Sequence, residues 1–109
     1  MIYFFLLGKF LWPGFGENIR VIEWMFRRCN GENIATPSPI GLLPTSGSIN
    51  TSGLKSHVDM AAIFDLPRDY WLEDVRETRD FLEKQVGCDL PHVIRDEVDQ
   101  LESRILRNL

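Results

Sequence analysis

A chain of 109 residues builds at most one domain and lies near the lower size limit for a self-sufficient core. Its 44% hydrophobic and 26% charged residues describe a globular chain rather than a disordered one. A formal net charge of −4 argues against nucleic acid and against an anionic membrane as partners. On so acidic a chain, a bound nucleotide needs local backbone donors or a metal.

The chain opens on the apolar run Met1–Leu7, which stops at Gly8-Lys9. The run has no basic leader and no small-residue cleavage site, and it is too short to cross a bilayer. A buried strand, or a start exposed by truncation, is the plain expectation. Residues 8–28 then hold a loop and a helix, 29–57 a Gly/Ser/Thr/Asn/Pro-rich stretch, and 58–109 a helical tail. The first helix is predicted from Asn18, as a side-chain cap, to the left-handed stop at Asn30-Gly31. Ile19, Ile22 and Phe26 form its apolar stripe, widened by Val21, Trp24 and Met25, while Arg20, Glu23 and Arg27 form the wetter face. So wide an arc implies packing on more than one side.

Pro39–Pro44 reads as an edge strand and Thr45–Gly53 as turn material. A short helix over Met60–Phe64 is expected behind an Asp59 cap. A long helix from about Pro67 to Val86, stopped by Gly87, is predicted to bury Trp71, Val75, Leu82 and Val86 with help from Leu72 and Phe81. The last helix begins near Pro91 with Asp89 as cap. Its Ile94, Val98, Leu101 and Ile105 make the seam of an antiparallel helical hairpin.

Little of the chain has the residue pattern of chemistry. No GxxxxGK[ST] phosphate loop occurs, and Cys29 and Cys88 stand far apart as free thiols. His57 and His92 are isolated, and the carboxylates follow the polar faces of helices. No catalytic residue and no metal ligand is therefore assigned. What remains is Phe10-Leu11-Trp12-Pro13-Gly14-Phe15-Gly16-Glu17-Asn18, with three aromatics, a proline and two glycines directly ahead of a helix. Such rings could hold a flat heteroaromatic base, with stacking worth about 1–3 kcal/mol per base. Asn18, or the backbone of Gly16–Asn18, could meet the edge of that base. Core packing around a turn is the commoner use of aromatics beside Pro and Gly, so both readings stay open on the residues alone.

The run Gly8–Asn18, followed by Arg20-Val21-Ile22-Glu23-Trp24-Met25-Phe26, resembles the guanine-site loop and helix of GTP-dependent phosphoenolpyruvate carboxykinases. Further agreement comes at Pro39-Ile40-Gly41, Leu43-Pro44, Leu82-Glu83, Gln85-Val86 and Asp89-Leu90-Pro91. The resemblance covers about residues 8–109 as a partial C-terminal domain and leaves residues 1–7 outside it. It implies an α/β parent fold of which this piece is mainly α-helical, with one or two short strands. It further implies a gluconeogenic lyase that decarboxylates oxaloacetate and phosphorylates the product with GTP, giving phosphoenolpyruvate, GDP and carbon dioxide. Carried over by position, Phe10 and Phe15 line the guanine pocket. Gly16, Glu17 and Asn18 form the turn that contacts the nucleotide, and Trp12, Pro13 and Gly14 shape the loop.

A third aromatic of the family falls by spacing near Ile2, which is not aromatic. The family's manganese, its ligands, the phosphate loop and the substrate arginines all belong upstream of the residues matched. The chain alone is therefore expected to be inactive and to bind guanine nucleotide weakly. The resemblance implies a monomeric parent in the cytoplasm, or in mitochondria for one form of the family. The alternative is a non-catalytic helical interaction module, or remnant of that enzyme, which self-associates through uncovered apolar surface.

Overall fold

The computed structural model describes residues 5–6 and 9–109. Expectations resting on residues 1–4, 7 and 8, including the missing aromatic at Ile2, lie outside these. Regular structure is mainly helical, with two small two-stranded sheets. The described chain groups into two compact units. One takes in residues up to Pro37 together with Leu42–Asp65, and the other Ser38–Gly41 with Leu66–Leu109.

In the first unit, β1 (Phe5–Leu6) pairs antiparallel with β2 (Lys9–Phe10), Phe5 opposite Phe10. A 3-10 turn over Phe15–Glu17 leads directly into α1 (Ile19–Cys29). The helix ends where predicted, with Gly31 at φ 87° just past Asn30. Its orientation differs from the sequence expectation. Ile19, Ile22 and Phe26 are each more than half exposed, whereas Arg20, Trp24 and Arg27 face the unit's own loop. Trp24 Nε1 donates to the Ile34 carbonyl and to Ser48 Oγ, both at 3.1 Å. Arg27 Nη1 donates to the Ser48 carbonyl at 3.0 Å, and Arg20 Nη1 to the Asn50 carbonyl at 2.8 Å.

The reason is that the Thr45–Asn50 turns carry backbone carbonyls with no strand to pair with, and long cationic side chains can satisfy them. Arg27 also meets Glu32 at 2.9 Å and Glu23 at 3.6 Å, and the hydrogen bond to Glu32 is the main cause of its raised pKa. Ser48 and Ile49 are buried beneath this network.

Two strands, β3 (Ala35–Ser38) and β4 (Gly41–Pro44), form a hairpin, so the expected strand runs only from Gly41 and Pro39-Ile40 makes the turn. Gly47 and Gly53 supply positive φ in the turns that follow. The short helix α2 (Met60–Ile63) is capped as predicted, Asp59 Oδ1 accepting from the Ala62 N–H at 3.0 Å.

The second unit is the helical hairpin of α3 (Arg68–Gln85) and α4 (His92–Asn108). Trp71, Val75, Val98 and Ile105 are its buried residues, with Val75 and Ile105 fully enclosed. Phe81, Val86 and Ile94 were expected inside and lie exposed: the buried residues stand toward the open end of the hairpin, while Val86 and Ile94 flank its connecting turn and Phe81 points off the buried stripe. Asp89 belongs to the connecting 3-10 turn, and no side chain caps α4. Arg79 clamps the pair, reaching Asp99 and Glu102 across the seam at 2.8 Å each. Arg104 Nε donates to the Pro39 carbonyl at the hairpin turn, at 3.0 Å.

Candidate functional site

The loop between β2 and α1 is built from a short stretch of strongly constrained backbone. Gly14 has φ 124°, a value that a side chain rarely tolerates, and nothing lies within 4 Å of where its Cβ would stand. Glycine is thus required there by backbone conformation, not by close packing. The turn is closed by the Glu17 N–H donating to the Gly14 carbonyl and the Asn18 N–H donating to the Phe15 carbonyl, both at 3.1 Å.

The polar residues of the turn are held from two sides. Glu17 accepts from Arg20 Nε at 2.7 Å, and Arg20 is itself anchored on the Asn50 carbonyl. Asn18 stands at the cap position of α1, yet its side chain makes no capping hydrogen bond, contrary to the expectation from sequence. Its backbone is already helical, with φ −64° and ψ −20°, whereas a capping side chain needs an extended backbone to reach back to the first turn. Instead Asn18 Oδ1 accepts from Trp12 Nε1 at 2.9 Å, a bond that spans the whole loop. Sequence reasoning gave Trp12 a loop-shaping place but missed this contact. Its only signal was an indole, which must donate, six residues ahead of an amide.

Two of the aromatic side chains stand outward. Phe15, at the apex, is 86% exposed and Phe10 is 64% exposed. Trp12 is half-buried and helps line an apolar cleft of about 490 Å³ with Asn18, Ile22, Ile49, Met60 and Phe64. That volume is within the ordinary range of small-molecule sites. The sequence did not foretell the cleft, which needs α2 placed beside α1. The structure thus brings Trp12 and Asn18 into contact, keeps Glu17 on Arg20, and leaves Phe10 and Phe15 as exposed rings beside them.

Elsewhere the chemistry is sparse. Cys29 and Cys88 are free and exposed, and His57 and His92 are exposed. Among the described residues no group of three or more His, Cys, Asp or Glu is placed to hold a metal ion. The manganese implied by the resemblance therefore has no fitting donor set among them. No helix among the described residues is long and apolar enough to cross a membrane.

Comparison with known proteins agrees with the motif. The family described as phosphoenolpyruvate carboxykinase C-terminal P-loop domain matches residues 3–104, beginning ahead of the Gly8 at which the motif resemblance starts. The mitochondrial GTP-type phosphoenolpyruvate carboxykinase of Mus musculus is 48% identical over 98 residues, covering 90% of this chain and 15% of that protein. The GTP-type enzyme of Haemonchus contortus is 51% identical over 99 residues, covering 90% of this chain and 16% of its own length. A cytosolic GTP-type form from Bos taurus is 46% identical over 98 residues, again 90% of this chain and 16% of that protein. The chain thus spans about one sixth of the length of the curated relatives it matches. Identity at this level, over nine-tenths of the chain, places the protein in the GTP-dependent phosphoenolpyruvate carboxykinase family, within its C-terminal P-loop domain.

Proposed function

We propose that residues 8–109 supply the guanine-binding loop and helical tail of an α/β nucleotide lobe, and that the whole protein interconverts oxaloacetate and phosphoenolpyruvate with GTP. In this reading Phe10 and Phe15 stack on the guanine. Gly16, Glu17 and Asn18 form the turn at its edge, and Trp12, Pro13 and Gly14 hold the loop in shape. The observation that carries the reading is Phe15, a ring 86% exposed beside a fixed amide at Asn18. A ring so exposed contributes little to this chain's own packing, while a stacked base would cover it.

Phosphoryl transfer rests on positioning and on neutralising charge with metal and cations. The residues described here bind and orient; none is assigned a proton or a bond-making step. We further propose that GTP or GDP is the ligand, and that the protein works in the cytoplasm or, as some relatives' names allow, in mitochondria. Titration of the purified chain with GTP tests the loop. Saturable binding that weakens about five- to a hundredfold in Phe15→Ala is expected from the loss of one stacking contact. Equal binding by both proteins would remove Phe15 from the site.

A second reading draws on a different observation. The Ile19, Ile22 and Phe26 stripe of α1 is uncovered along the helix. A contiguous apolar stripe of this kind marks an interaction surface. It suits a docking role for the chain beside, or in place of, nucleotide binding.

A further inference from the structure

We propose that Ser38 is a phosphorylation site for a proline-directed protein kinase, and that Arg104 is the cation that receives the phosphate. Two hydroxyls of β3, outside the nucleotide loop, are each followed by proline in Thr36-Pro37-Ser38-Pro39. Proline has a fixed φ and no N–H. A kinase pocket that offers no acceptor to the residue after the hydroxyl tolerates proline there and penalises every other residue. Proline also keeps the residue ahead of it extended, the shape in which a peptide lies across a kinase cleft. Ser38 meets both conditions as the last residue of β3, and a two-stranded sheet leaves one edge of that strand unpaired.

Two contacts single out Ser38 over Thr36, and both lie within one compact unit. Ser38 Oγ donates to the Gly41 carbonyl at 2.7 Å, closing the turn through Pro39 and Ile40. Arg104 Nε donates to the Pro39 carbonyl at 3.0 Å, so a guanidinium already lies against the residue next to Ser38. Among the described residues no carboxylate is ion-paired with Arg104, and its terminal nitrogens have no hydrogen-bond partner. A guanidinium presents such N–H groups as a fork that matches phosphate oxygens. In the transfer, the Ser38 Oγ–H bond gives way to a bond with the γ-phosphorus of ATP, and the proton passes to the kinase's base. ADP leaves with the electron pair of the broken phosphoanhydride bond. The esterified oxygen has no proton, so Ser38 no longer donates to Gly41. In its place stands a phosphate of about −1.5 to −2 charge at neutral pH, which pairs with Arg104. Phosphorylation thus exchanges a bond within the hairpin turn for one between that turn and α4.

In the test, the folded 109-residue chain, checked by circular dichroism, is incubated with ATP and a purified, active mitogen-activated protein kinase. Tandem mass spectrometry is expected to place a phosphate on Ser38, lost in Ser38→Ala and kept in Thr36→Val. The phosphorus-31 resonance then reads the partner, because a guanidinium beside the phosphate holds its second ionisation below the usual pH of about 6. Arg104→Gln is expected to return that midpoint to about 6, and Arg104→Lys, which keeps the charge, to leave it low. A folded chain left without phosphate, or carrying it on Thr36 alone, would overturn the proposal. Equal titration in Arg104→Gln and the unsubstituted phosphoprotein would remove Arg104 as the receiving cation. If Arg104→Gln does not fold, a midpoint at or above about 6 in the unsubstituted phosphoprotein does the same.

Discussion

Gly87 has φ 63° where α3 gives way to the 3-10 turn, and the space around its missing Cβ is empty. A side chain there would meet no atom, so the cost of Gly87→Ala is conformational alone, about 1 kcal/mol. Urea unfolding should show that loss with an unchanged m-value. A loss of several kcal/mol would mean that the position is packed. Asp59 was similarly legible, since a short acceptor ahead of an apolar turn has one obvious use. Asn18 was not. It satisfies the same residue preference, but a helical backbone and the nearby indole redirect its oxygen. Residue type gives the capacity to accept, and the local backbone decides from which donor.

Among the elements, helix positions followed from periodicity, and the burial of their faces only in part. Val75, Val98 and Ile105 are inside as their spacing predicted, while Phe81, Val86 and Ile94 are not. Phe81 lies about a third of a turn off the buried stripe, whereas Val86 and Ile94 share the stripe of Val75 and Ile105 but flank the connecting turn, where the two helices leave them wet. Ile105→Ala should therefore cost about 2–5 kcal/mol, whereas Phe81→Ala should stay within about 0.5 kcal/mol. Thermal unfolding followed by circular dichroism would separate them, and similar losses would contradict the seam described. Helix α1 shows the opposite side of the problem. Its arginines satisfy carbonyls of the Thr45–Asn50 turns, a demand that no pattern within the helix itself encodes.

For the whole molecule, the α1 stripe is the most consequential surface. The relatives are about six times longer than this chain, and the wide apolar arc read from the sequence fits a helix that packs on two sides. One side meets the loop of its own unit, and the other carries Ile19, Ile22 and Phe26 outward. The isolated chain is expected to associate with rising concentration through that stripe, and Ile22→Glu with Phe26→Glu should keep it monomeric in sedimentation. Association that persists in this double variant would place the contact elsewhere. The family was legible because Phe10–Asn18 is a specific motif, whereas the cleft beside it was not, since its walls come from segments some forty residues apart.

Calorimetric titration of the purified protein with GTP asks most directly whether this chain carries a purine-binding loop. Saturable, weak binding is expected, preferring GTP to ATP and diminishing in Phe15→Ala. A folded chain showing no saturable heat with GTP, or equal affinity for both nucleotides, would contradict it.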